Sequence, residues 1–223
     1  MGAMSRLRLN MLKENRGFTL VEMAVVLIII GVIIGAIIKG KSLVRGAEQK
    51  KIYTKFVNEW RINYLNFYDR TGKILGDTWD ASLATPAAGQ DGQADTAAGA
   101  AGAVTDAGRD DLFDGPAAGS AYLGMTSLGL EAPSTNTPNN WQYKYVDSGG
   151  TAHFMDIAFV WDGANNYNYM MVNNVPAELA IALDTMIDGS ADGTDGDFLF
   201  GTGTAWPTTA TTEADDIRWK MQF

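Results

Sequence analysis

The chain has no cysteine and one histidine in 223 residues. Without cysteine there is no disulfide framework, no thiolate metal ligand and no Cys nucleophile. A lone histidine, His153, leaves nothing from which to build a His-rich metal cluster or a proton relay, and no acid or serine stands at a diagnostic sequence spacing around it. The serines beyond residue 40 all lack a nucleophile-elbow context. No enzymatic constellation is therefore expected. Basic residues are also few: 17 Lys and Arg against 26 Asp and Glu leave a formal net charge of -9, with no basic tail. That balance argues against nucleic acid and against an anionic lipid surface as partners.

Apolar residues are concentrated at one end. Residues 18–38 read FTLVEMAVVLIIIGVIIGAII, 21 positions with Glu22 as the only charge. A helix needs about 20 such residues to cross a bilayer once. The segment before it carries Arg6, Arg8, Lys13 and Arg16 against Glu14, and the segment after it carries Lys39, Lys41, Arg45, Lys50 and Lys51 against Glu48. Both flanks are basic, so the positive-inside rule does not orient the span. The apolar run is too long for a conventional secretory signal, and no Ala-x-Ala cleavage pattern follows it.

The junction Arg16-Gly17-Phe18-Thr19-Leu20-Val21-Glu22 ahead of this run resembles the class III signal of type IV pilins and their relatives. The resemblance implies that a prepilin peptidase cuts between Gly17 and Phe18, removing residues 1–17, and that Phe18 becomes the N-methylated first residue. Gly17 has no side chain to hold a protease away from the backbone. An acid inside an apolar span calls for a partner, and Glu22 also lies at the positive end of the helix dipole. The resemblance supplies that partner as the charged amino terminus of Phe18 in a neighbouring subunit; without it, Glu22 reads as an interfacial acid of a simple anchor. Two features depart from a common pilin pattern: Lys39 stands where a helix-breaking proline often lies, and a C-terminal disulfide is impossible. Gly31, Gly35 and Gly40 read equally as places where the helix can stretch and as close-packing sites.

Past the span, Leu43, Ile52, Phe56, Trp60, Tyr64, Leu65 and Tyr68 fall mostly at steps of three and four, which predicts one helix over 18–69 with an amphipathic second half. Its aromatic stripe reads as core packing rather than as a conductive path. Gly72 marks the helix end. Residues 70–140 form a variable region: 81–111 lack aromatics and read as an exposed loop, and 111–130 resemble a short helical segment. From 141 to 223 an antiparallel sheet is expected, with strands at 141–146, 153–161 and 167–172 joined by hairpin turns. A short helix at 176–187 and an edge or closing strand at 217–223 complete it.

Between helix and closing strand, residues 188–197 form an acidic, Gly-rich loop. Asp188, Asp192, Asp195 and Asp197, with Asp184 on the helix, are candidate oxygen ligands for Ca²⁺, although the spacing is not that of an EF-hand. The alternative is a solvated acidic turn.

The expectation is an α+β pilin fold: one long N-terminal helix, with 18–38 in the membrane and later in a filament core, packed on a C-terminal antiparallel sheet. The resemblance implies a non-enzymatic, self-polymerising subunit whose partners are the prepilin peptidase, an inner-membrane assembly machine and, before assembly, the membrane. No cofactor is required. Removal of the leader's four bases and one acid would leave a charge of -12. A pilus subunit on the cell surface and a pseudopilin of a periplasmic secretion filament both satisfy this pattern. A single-pass anchored binding module is the reading from a different class.

Overall fold

The computed structural model describes residues 17–77, 92–94, 112–113 and 124–223. The leader and most of the 81–111 loop lie outside the described residues, as does much of the 111–130 segment. The chain divides into two units, residues 1–46 and 47–223.

In the first unit, helix α1 (Leu20–Ile52) begins just after the proposed junction and runs through Lys39 and Gly40 without a break. The large apolar side chains at residues 18–38 are 44–87% exposed, so none of the described residues covers this apolar surface. Among the described residues this is the one helix long and apolar enough to cross a membrane. Gly31, Gly35 and Gly40 are all helical, and a methyl group at any of them would meet nothing within 4 Å. They do not serve close packing against any of the described residues.

In the second unit, α1 passes through a π turn (Tyr53–Val57) into α2 (Asn58–Thr71). The sequence predicts an uninterrupted helix here, and the pattern of its buried side chains explains the wider turn. Ile52, Phe56, Trp60 and Tyr64 repeat every four residues and are all 0% exposed. On a regular α-helix each four-residue step drifts by about 40° around the axis. A wider turn counters that drift and keeps the stripe on the sheet. The stripe packs Phe56 on Tyr143 (ring centroids 5.3 Å apart) and Tyr64 on Phe159 (4.9 Å). α2 ends at Gly72, whose φ of 67° sets the left-handed cap and whose N–H donates to Tyr68 O at 2.7 Å.

The strands are β1 (Gln142–Val146), β2 (Ala152–Asp162), β3 (Tyr167–Asn173), β4 (Val175–Pro176), β5 (Phe198–Phe200), β6 (Glu213–Ala214) and β7 (Ile217–Lys220), with helix α3 (Ala177–Ile187) after β4. Five form an antiparallel sheet in the order β1-β2-β3-β7-β5, and β4 pairs with β6. The three expected strands and their hairpins lie where the turn residues place them. The closing strand does not lie at an edge: β7 sits between β3 and β5, and the three-residue β5 is the outer strand beyond it. One sheet face, with Tyr145, Met155, Ile157, Phe159, Met170, Val172, Ile217 and Trp219, meets the helical stripe in a single core. On the other face Ala158, Tyr169 and Met171 form a smaller cluster, over which Arg218 is held by Asp162 at 2.8 Å and Asp216 at 2.7 Å.

Candidate functional site

The proposed processing site lies at the start of α1. Gly17, Phe18 and Thr19 precede the helix in extended or irregular backbone, Phe18 is 79% exposed, and the position a Gly17 side chain would occupy has nothing within 4 Å. A peptidase therefore meets no steric obstacle from the described residues. Thr19 O accepts the N–H of Met23 at 3.2 Å, which makes Thr19 the N-cap.

Glu22 has an intrachain role that the sequence reading overlooked. Glu22 N–H donates to Thr19 Oγ1 at 3.2 Å, while Thr19 N–H and its hydroxyl donate to Glu22 Oε2 at 2.8 and 2.9 Å. This is a reciprocal capping box, and its signal, Thr-x-x-Glu ahead of an apolar run, is legible in the sequence. The carboxylate thus begins the helix in its own chain. Its role toward a neighbour's amino terminus is additional to that.

The acidic loop does not bring its five aspartates to one centre. Asp188 Oδ2 accepts the N–H groups of Asp197 (3.1 Å) and Phe198 (2.8 Å), and Asp192 Oδ1 accepts those of Thr194 (2.9 Å) and Asp195 (3.0 Å). Asp195 and Asp197 are exposed. Asp184 is fully buried; its Oδ2 accepts Trp206 Nε1–H at 2.7 Å and Gly193 N–H at 3.1 Å. Burial pushes the Asp184 carboxyl above its ordinary pKa, against these two hydrogen bonds. Gly196, at φ 99°, closes the loop so tightly that a Cβ there would stand 2.3 Å from Asp188 Oδ2. Among the described residues no three acidic or histidine side chains are grouped to hold a metal ion. Asp188 and Asp192 each spend one carboxylate oxygen on the loop's own amides, as a solvated acidic turn does. Adding calcium or a chelator is expected to leave the melting midpoint unchanged; a chelator that lowers it by several degrees would restore the metal reading.

His153 is better furnished than its sequence surroundings suggest. The ring is buried, with Nε2 2.9 Å from Asp147 Oδ2 and Nδ1 2.6 Å from Glu213 Oε1. Asp147 also holds the β1–β2 turn by accepting Thr151 N–H at 2.9 Å. The hairpin register, with Tyr145 opposite His153, places Asp147 beside the ring, whereas Glu213 arrives from β6. Burial depresses the imidazole pKa, but the hydrogen bonds and charges of Asp147 and Glu213 outweigh it and leave the pKa raised. The His153 bond in turn holds Asp147 below the usual carboxylate range. With the ring enclosed and no nucleophile against it among the described residues, the cluster is a clamp between hairpin and β6.

Comparison with known proteins places one segment. A family model described as the prokaryotic N-terminal methylation motif matches residues 12–38. No curated protein and no solved structure matches the chain at a significant level. The motif, with the long apolar helix behind it and the antiparallel sheet beyond, fits a type IV pilin-like prepilin. It supports a pilin-like or pseudopilin protein that a peptidase processes, and the apolar helix is consistent with a membrane anchor.

Proposed function

We propose that this protein is a non-enzymatic structural subunit that polymerises through α1 into a type IV pilus on the cell surface. The observation that carries this reading is the exposed apolar surface of residues 18–38, which lies inside the stretch that the methylation motif matches. Lipid covers that surface before assembly, and the helices of neighbouring copies cover it afterwards. The transfer costs work, which an energy-driven inner-membrane machine supplies; the finished polymer is then cohesive because its core excludes water. Gly17 and Phe18 are the processing residues, and Glu22 sets the axial register against the amino terminus of the next subunit. The acidic composition of the remaining chain suits a soluble fibre surface.

The test is N-terminal mass spectrometry on filaments sheared from cells, run beside the washed membrane fraction. N-methylated Phe18 enriched in the sheared filaments is the expected result. The same processed peptide confined to membranes would make the protein a pseudopilin, and an uncleaved leader in both fractions would make it an anchored module.

A further inference from the structure

An edge strand exposes a row of backbone donors and acceptors that can pair with another chain. β1 is such an edge, and its odd residues face β2 in the ladder, so the outward row belongs to Gln142, Lys144 and, at the strand's end, Val146. The four groups of Gln142 and Lys144, at the start and middle of the strand, are taken by residues 135–139. Gln142 N–H donates to Asn139 O at 3.1 Å, and Gln142 O accepts the hydroxyls of Thr135 and, at 2.8 Å, Thr137. Asn136 Oδ1 accepts Lys144 N–H at 2.7 Å, and Asn136 Nδ2 donates to Lys144 O at 2.8 Å. The Asn136 amide thereby offers the pair of bonds that one residue of a sixth strand would offer. The segment is tied down from the other side: Ser134 N–H reaches Lys55 O in the π turn at 3.2 Å, and Asn63 Nδ2 reaches Glu131 O at 2.9 Å.

We propose that residues 135–139 are a guard over a latent strand-addition surface, and that the occupant they exclude is β1 of a second copy of this chain. An antiparallel edge is self-complementary about a two-fold axis, so an identical strand satisfies the same four groups without any other partner. The exposed side chains beside it, Val146 and Phe154, add an apolar contact to the backbone pairing. Only the crowding of copies is borrowed from the filament reading; crowding turns a weak edge contact into a frequent one.

The chain's lack of cysteine makes the test clean. Full-length protein carrying Lys144→Cys is purified in detergent and treated with a short bis-maleimide, with and without Asn136→Ala. The amide of residue 144 is followed in parallel by hydrogen exchange in the same two proteins without the cysteine, at a dilution where both are monomeric, so that pairing with a copy does not protect it again. Removing the guard is expected to speed exchange at residue 144 about tenfold, as two hydrogen bonds are lost, and to raise the cross-linked dimer several-fold. Unchanged exchange would show that Asn136 guards nothing; faster exchange with no gain in dimer would show an open edge with no affinity for its copy. Either result overturns the proposal, and neither touches processing at Phe18. Should Asn136→Ala lose the near-ultraviolet dichroism of the folded protein, Asn136→Asp, which keeps the acceptor for Lys144 N–H but loses the donor, is read by the same two measurements.

Discussion

Glu22→Gln should leave the prepilin processed, inserted and helical from Thr19 onward, yet reduce sheared filaments at least tenfold. Glutamine at the third helical position can still accept from the N-cap, so the capping box with Thr19 survives while the charge does not. Thr19→Val is the complementary change. It removes the hydroxyl of the box at a cost of about 1 kcal/mol to the helix start and keeps the carboxylate, so filaments should be near wild-type in amount. Glu22→Ala loses both functions and should be at least as defective as Glu22→Gln. Filament yield against the membrane pool, with N-methylated Phe18 measured in each, separates the two roles. Filaments at the wild-type level from Glu22→Gln, with failure of Glu22→Ala and Thr19→Val, would make the capping box the whole role of the residue.

A comparably large effect is expected at His153, and it depends on pH. Both ring nitrogens face carboxylates, which only accept, so both must carry protons and the clamp is complete only as imidazolium. The folded-state pKa is raised above the ordinary 6.5. A raised pKa means that the stabilisation is fully present below about pH 6.5 and is lost as pH rises through the folded value. Asp147 acts in the opposite sense: its depressed pKa gives stability that is present above the unfolded carboxylate value and is lost as pH falls through the folded one. Tryptophan-detected melting should therefore be highest in mildly acid solution and decline on both sides. His153→Gln should lower stability by about 2 kcal/mol at pH 6, because a buried carboxylate is left facing a neutral side chain, and should flatten the alkaline limb. An alkaline limb that persists in this variant would assign the pH dependence elsewhere.

Much of the architecture was legible because it rests on local signals. The four-residue stripe from Ile52 to Tyr64, the Gly72 cap and the hairpin residues between β1, β2 and β3 each specify their element within a few positions. What escaped the sequence depends on partners far along the chain. Glu213 lies 60 residues from His153 and reaches it only through the pairing of β6 with β4. The interior place of β7 is set by β5, whose three residues are too few to show a period. The π turn is hidden for a related reason: a four-residue repeat looks the same whether the helix drifts or is widened to hold it. In the acidic loop the composition suggested ligands, but composition does not say whether a carboxylate faces an ion or the nearest backbone amide. The Thr19–Glu22 box was within reach of the sequence and was masked by the more conspicuous question of a charge in an apolar span.

The enclosure of the chain's only histidine has a practical side. A proton spectrum of this protein contains one imidazole, so its ring resonances are assigned without isotopic labelling of selected sites or a mutant series. Because that ring bridges the β1–β2 turn and β6, the single pair of signals reports whether the clamp is closed. It can be read in detergent, and in filaments by solid-state methods, as an indicator that the sequence itself supplies.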